Sequence, residues 1–186
     1  MKNQKGFTLI ELLAVVVIMG ILLLVAIPAV SRTIANTRRD TFMNLAKEYI
    51  NQVRNAVLAD ELKCGATDTS VAATLTGVYY YKIDTDDVET KTTDLMESGG
   101  LSSWSSSHVA GYVVWNKTGS ENATQTTYYV QLVDAGNHGI FNVTQEDKIT
   151  RTEVYTKKPA SGQEYSAIRT TVPSLEGDTG TRCTLK

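Results

Sequence analysis

The feature that most constrains this chain is a long apolar segment near its start, within MKNQKGFTLIELLAVVVIMGILLLVAIPAV. Sixteen of the residues from 7 to 30 are Leu, Ile, Val or Phe, and together they favour transfer into a bilayer by about 7 kcal/mol. At about 1.5 Å per residue, a helix of this length extends roughly 36 Å and can cross a hydrocarbon core of ~30 Å. The segment is therefore predicted to insert into a membrane.

One acid, Glu11, lies near the beginning of this apolar segment. A charge costs about 2.5–3.5 kcal/mol at the centre of a membrane helix and less near an end, so the segment still favours insertion. An ionisable group in lipid needs a partner, and no cation lies three or four residues further along the helix. The sequence therefore predicts that the partner of Glu11 comes from elsewhere.

Three interpretations fit a segment of this kind. It can be a single membrane anchor, a secretory signal peptide cut after the apolar run, or an anchor whose acid has a specific function. Small residues surround the end of the run in AIPAVS, but no clean A-x-A motif precedes a cut there. The run is also long for a signal peptide. The third interpretation explains the acid.

The residues around Glu11 resemble the N-terminus of type IV pilins and the related pseudopilins. The family pattern is a short basic leader ending in Gly, then Phe-Thr-Leu-Ile-Glu-Leu and a long apolar helix. The matching residues of this sequence are Lys5, Gly6, Phe7, Thr8, Leu9, Ile10, Glu11 and Leu12. The resemblance is strong over about the first 30 residues and loose over the next 30.

The resemblance implies a maturation pathway. A membrane prepilin peptidase would cleave between Gly6 and Phe7 and methylate the new Phe7 amine. Cleavage on the cytoplasmic side leaves the apolar helix in the mature protein and creates a cation four residues from Glu11. In the family, that amine is thought to meet the glutamate of a neighbouring subunit during assembly, and opposite charges attract strongly in a low-dielectric setting.

The resemblance also implies a role for Pro28 and a set of partners. Pro28 cannot donate to the carbonyl of Leu24, so a kink or local weakening is expected. Pilins commonly carry a proline here, in a stretch that can unwind in filaments. The implied partners are the prepilin peptidase, a pilus assembly platform with minor pilins, further copies of this chain, and the membrane before assembly.

Residues 31–62 are predicted to continue the helix with an amphipathic pattern. Apolar residues recur there at spacings of three and four; they are Phe42, Leu45, Ala46, Tyr49, Ile50, Val53, Ala56 and Val57. A continuous helix from Phe7 to about Asp60 would be roughly 80 Å long. The polar stretch 33–41 should not lie against a core. It either contacts neighbouring subunits or is exposed to solvent.

Residues 63–186 are rich in Thr, Ser, Gly and Tyr and predict mostly strands. The strand segments are TGVYYYKID, AGYVVWNK, TTYYVQLVD and GIFNVTQ, with TRTEVYT and YSAIRTTV as further candidates. AGNHG predicts a tight hairpin, KTGSENAT a longer turn, and DDVETKTTDLMESGG a short helix. The fold class is therefore α+β, with the outer half of a long helix packed on an antiparallel sheet, as in the pilin roll.

Four segments follow from these patterns. They are a leader at 1–6, a transmembrane and assembly helix at 7–30, an amphipathic half-helix at 31–62 and a β-rich head at 63–186.

Two cysteines lie at opposite ends of this head. Pilins often close a C-terminal loop with a disulfide, but here the first cysteine, Cys64, precedes the sheet. A bond from Cys64 to Cys183 would pin the tail to the end of the helix, and an extracytoplasmic location permits it. Two free thiols are the alternative.

The remaining composition argues against catalytic and ligand-binding classes. A formal net charge of −2 does not favour a nucleic-acid binder. Asp84, Asp86 and Asp87 resemble part of a calcium loop but lack its glycine and terminal glutamate, so no metal or other cofactor is assigned. No phosphate-binding loop and no nucleophile motif occurs, which predicts that the chain is not an enzyme.

The sequence therefore predicts a structural subunit of a type IV pilus, stored in the cytoplasmic membrane as a single-pass precursor and then polymerised at the cell surface. The main alternative is a pseudopilin of a type II secretion or competence DNA-uptake system. A membrane-tethered adhesin that never polymerises is an alternative from another class.

Overall fold

The structure, a computed structural model, describes residues 8–65, 69–70, 76–87, 95–96, 100–104, 107–120, 123–156 and 160–186. The chain divides into two compact units, Met1–Thr37 and Arg38–Lys186. The boundaries predicted at residues 30 and 62 remain predictions.

Helix α1 extends over Leu9–Leu58 and contributes to both units. Its first part is made of strong helix formers such as Leu, Ala and Met with β-branched Val and Ile, a mixture that membrane-type helices accommodate. Every residue from Thr8 to Thr37 is exposed. A helix that is apolar all round must be covered by lipid or by other helices.

The second part of α1 is amphipathic, as its spacing predicts. Its buried residues are Phe42, Leu45, Ala46, Tyr49, Ile50, Val53 and Ala56. They belong to one core cluster with the inward-facing side chains of the sheet, including Trp115, Val130 and Leu132. This confirms the α+β architecture in which a helix face packs on a sheet.

In the part of the chain that the structure describes, the sheet has seven strands in the order β2-β1-β7-β3-β4-β5-β6. The strands are β1 Leu62–Cys64, β2 Thr69–Ser70, β3 Gly77–Asp84, β4 Val109–Ser120, β5 Ala123–Asp134, β6 Gly139–Gln145 and β7 Thr181–Leu185. The four strand segments with the strongest β pattern are β3 to β6, which confirms those predictions. Strands β3 to β6 form an antiparallel meander.

Several details of the predicted sheet are wrong. The sheet is mixed, because β7 pairs in parallel with β3 and antiparallel with β1. Its three short strands β1, β2 and β7 lack a strong β pattern and were not predicted. Strands β4 and β5 pair out to Ser120 and Ala123, so only two residues connect them where a longer turn was expected.

The two weaker strand predictions are also wrong. The segment YSAIRTTV forms helix α2, Tyr165–Thr170, whose Ile168 packs with Val133 and Phe141 in a second apolar cluster. The segment TRTEVYT contains a 3-10 turn over Arg151–Glu153 and one β-bridge to Gly139. Burial of an apolar side chain overrides the local β propensity here. The helix expected near residues 86–100 lies mostly outside the described residues.

Candidate functional site

The first turn of α1 is closed by reciprocal hydrogen bonds between Thr8 and Glu11. The backbone N–H and the hydroxyl of Thr8 both donate to Glu11 Oε2, each at 2.8 Å. The backbone N–H of Glu11 lies 3.4 Å from Thr8 Oγ1. This is the capping-box arrangement, in which the residue before the helix and the third residue inside it satisfy each other's donors.

Thr8 is therefore a local hydrogen-bond partner of Glu11, whereas the sequence predicted a partner from elsewhere. The signal was present in the sequence, because a threonine followed three residues later by a glutamate before an apolar run predicts this motif. Both contacts from Thr8 use Oε2. Among the described residues, no hydrogen bond to Oε1 is formed, and the predicted processing residues Gly6 and Phe7 lie outside the described residues.

Around Pro28, hydroxyl groups bond back to the helix. Helix α1 continues through Pro28. Ser31 Oγ donates to the carbonyl of Ile27 at 2.9 Å, and Thr33 Oγ1 donates to the carbonyl of Ala29 at 3.1 Å. Side-chain bonds of this kind compete with the backbone ladder and often bend helices. Together with the donor that Pro28 lacks, they leave this stretch less firmly held than the rest of α1.

Among the described residues, α1 is the one helix long and apolar enough to cross a membrane, and its apolar window is fully exposed. The helix qualifies as a membrane span by its length and its composition. The apolar residues, the capping box and Pro28 therefore lie on one continuous element.

Cys64 and Cys183 are brought together by the short strands. They are directly opposite each other on β1 and β7, their Cα atoms are 4.1 Å apart, and they form a disulfide bond. Both are buried. The last residue, Lys186, donates from Nζ to Asp60 Oδ2 at 2.9 Å. The tail is thus joined to the chain just beyond α1 by a covalent bond and an ion pair.

Polar contacts also tie the beginning of the second unit to the loop after β6. Arg151 forms a two-pronged contact with Asp40, with Nε and one terminal nitrogen each 2.6 Å from a carboxylate oxygen. Arg39 donates to Thr156 Oγ1 at 3.2 Å. The polar residues at the end of the stretch 33–41 therefore contact the head through its surface rather than its core.

The acidic residues at the end of β3 and just after it contact lysine and arginine side chains. Asp84 is buried, and its Oδ2 accepts from Arg169 Nε at 2.6 Å, while Arg169 also bonds Asp86 at 2.9 Å. Lys82 Nζ lies 3.2 Å from Asp84. The hydrogen bond with Asp84 raises the pKa of Arg169 above its ordinary value. No sequence signal indicated this pairing, because α2 is distant along the chain.

A second buried carboxylate, Asp134, organises the loop before β4. Its Oδ2 accepts from Ser102 Oγ at 2.7 Å, and its Oδ1 lies 3.1 Å from His138 Nδ1. The ring of His138 stacks on Trp104 at 4.8 Å. Ser102 and His138 therefore both contact the carboxylate of Asp134.

Comparison with known protein families gives a match at the N-terminus. Residues 1–27 match the family model described as the prokaryotic N-terminal methylation motif. The match includes the predicted leader, the predicted cleavage position and the part of α1 that carries Glu11.

The N-terminal match supports a type IV pilin or pseudopilin family.

This pilin-like precursor carries a class III signal peptide, which implies processing by a prepilin peptidase and assembly into pilus-type polymers. Its apolar helix anchors it in a membrane before assembly. The family consists of structural subunits, and the long helix packed on a sheet is its architecture. No solved structure matches the pilin-like chain at a significant level.

Proposed function

We propose that the mature chain is the structural subunit of a type IV pilus. The precursor is cleaved between Gly6 and Phe7 and methylated at the Phe7 amine. It remains in the cytoplasmic membrane until assembly. An assembly platform with minor pilins then polymerises it into an extracellular filament.

The observation that supports this proposal is the uncovered apolar part of α1. Its exposed side chains surround the helix, with Leu9 82% and Val25 75% exposed. In a monomer outside lipid, this surface would contact water along its whole length. A bundle of parallel copies covers such helices once they leave the bilayer, whereas a permanently tethered adhesin needs only an anchor.

Glu11 has the geometry for a role in assembly. Thr8 engages only Oε2 of the carboxylate, which leaves Oε1 to accept from a second donor. Cleavage after Gly6 would place a new amine directly before Thr8. We propose that the amine of one subunit pairs with Glu11 of its neighbour and fixes the axial register of otherwise featureless apolar helices, since an unmatched charge in lipid is penalised.

Pro28 and the disulfide have supporting roles in this proposal. The stretch around Pro28, with its missing donor and its hydroxyl bonds, is where the helix can unwind during bundling. The bond between Cys64 and Cys183 keeps the C-terminal strand in the head while the filament is under load.

The mature N-terminus tests the proposal most directly. Mass spectrometry of the protein from its own cells should give a chain that starts at methylated Phe7 and is recovered in sheared surface filaments. A start near Ser31 would identify a secretory signal, and an uncut Met1 a simple tether. Correct processing without abundant surface filaments would favour a pseudopilin.

A further inference from the structure

The hairpin of β4 and β5 extends beyond its neighbours in the sheet. On one side, β3 pairs with β4 only as far as Gly77 opposite Lys117. On the other side, β6 pairs with β5 only as far as Gln145 opposite Tyr129. From Ala123 to Tyr128, β5 therefore has β4 on one edge and no strand on the other among the described residues.

After β6, the chain turns away from the edge of β5 and is held by contacts with α1 and with β5. A 3-10 turn begins at Glu146, and Glu146 forms an ion pair with Arg54 of α1. The Arg54 guanidinium also lies over the ring of Tyr128, 4.6 Å from its centroid. These contacts fix the turn beside β5 and leave a depression of about 290 Å³ along the strand edge, lined by Arg54, Gln125, Thr127, Tyr128, Glu146 and Asp147.

The strand segment at this edge has no protective charge or proline of its own against pairing. Its sequence, Ala-Thr-Gln-Thr-Thr-Tyr, contains no charge and no proline. Thr124, Gln125 and Thr126 are exposed. Natural sheets protect exposed edges with charges, prolines or bulges, because unpaired backbone groups are a template for another strand. A neutral, threonine-rich edge of six residues is suited to receive one.

We propose that the occupant is the same edge of a second copy, paired antiparallel about a two-fold axis at Thr126. Residues that face each other across the pair must point to the same side of the sheet, so the two-fold axis passes through a residue. With the axis at Thr126, this residue faces Thr126 of the second copy, and Gln125 faces Thr127 of the second copy. Every facing pair is uncharged, and threonine pairs across antiparallel strands are favourable. A charged edge would place like charges opposite each other in such a pair.

This inference rests on the proposed function, since a polymer supplies copies at high local concentration. A two-fold contact is closed, whereas the contacts along a helical filament join different surfaces of successive subunits. The β5 pair therefore joins heads of different filaments and produces lateral bundles.

A cysteine at the two-fold axis tests the pairing. Facing residues in an antiparallel pair have Cα atoms about 4.5–5.5 Å apart, which a disulfide spans. Oxidation of filaments and of the detergent-extracted full chain carrying Thr126→Cys should convert most subunits into reducible dimers. Thr118→Cys is the matched control, because Thr118 is exposed on β4 opposite Gln125 and its two copies would be separated by three strand spacings, roughly 14 Å or more.

A charge at the same position tests the consequence. Thr126→Lys places two ammonium groups opposite each other, so filaments should form in normal amount but separate from their bundles, while Thr118→Lys should leave bundles intact. Absence of Thr126→Cys dimers in both pools, or equal dimers from Thr118→Cys, overturns the pairing. Dimers in the extracted chain without any filaments support the pairing and contradict the pilus proposal.

Discussion

Thr8 and Glu11 satisfy each other at the start of α1, with the hydroxyl and the backbone N–H of Thr8 each 2.8 Å from the same carboxylate oxygen. The one acid of the apolar segment thus stabilises the first turn of the helix. The same geometry leaves the other carboxylate oxygen available for the partner amine that we propose.

Removing the cap hydroxyl should loosen the first turn of α1. We expect Thr8→Val to cost about 1 kcal/mol locally, because a capping hydrogen bond is lost. Hydrogen exchange of the amides at residues 11 and 12, measured on the full chain in micelles, should become about five times faster. Thr8→Ser keeps the hydroxyl and serves as control, and equal protection in all three chains would contradict the cap.

Removing the charge of Glu11 should affect assembly rather than folding. Glu11→Gln keeps an oxygen acceptor for Thr8 but cannot form an ion pair. We expect a sharp fall in sheared filaments, with the membrane pool and the folded head unchanged, as measured by immunoblotting of both fractions. A normal filament yield from this variant would exclude the charge pairing.

Loss of the disulfide should destabilise the head substantially. Cys64 and Cys183 are separated by 119 residues, and closing a loop of this length contributes about 5 kcal/mol by chain entropy. The double variant Cys64→Ser and Cys183→Ser should show a lower free energy of unfolding by up to this amount in denaturant titrations. Reduced wild type is the control and should behave like the variant.

Adding a methyl group at Gly100 should disrupt the contact with Tyr49. The Tyr49 hydroxyl donates to the Gly100 carbonyl at 3.1 Å, and a Cβ at Gly100 would overlap that hydroxyl. Gly162→Ala is the matched control, because φ is +62° at Gly100 and +85° at Gly162, and a Cβ at Gly162 meets nothing within 4 Å.

We expect Gly162→Ala to lower the free energy of unfolding by about 1–2 kcal/mol, because alanine is strained in this backbone conformation. Gly100→Ala should lower it by about 1–3 kcal/mol more, because its methyl group overlaps the Tyr49 hydroxyl. Chemical denaturation in micelles measures both. Equal losses would show that the loop yields without disturbing Tyr49.

Alkaline conditions should weaken the head through its buried phenols. Burial raises the pKa of Tyr112 to about 12, above the ordinary value near 10, and burial also raises the pKa of Tyr49. The fold therefore prefers the protonated phenol. This contribution to stability is complete below about pH 10 and is lost as the pH rises through the folded pKa.

The free energy of unfolding, measured by brief denaturant titrations at pH 9 and pH 11.5, should fall for wild type and fall less for Tyr112→Phe. Tyr49 remains in the variant, so the decline should not disappear. An identical decline in both chains would show that Tyr112 titrates normally in the folded head.

What the sequence by itself determined is local. The apolar segment, the buried face of α1 from Phe42 to Ala56 and strands β3 to β6 each follow from a contiguous pattern whose period matches its element. The capping box was equally readable, since its two residues are three positions apart.

Only the tertiary structure decided which distant residues meet. The parallel pairing of β7 with β3, the partnership of Asp84 with Arg169 and the helical state of Tyr165–Thr170 depend on sheet register and on burial against Val133 and Phe141. Each of these contacts requires closure of a long loop, whose outcome is set by the whole core. A local pattern contains no information about that choice, and so the free edge of β5 became visible only in the folded head.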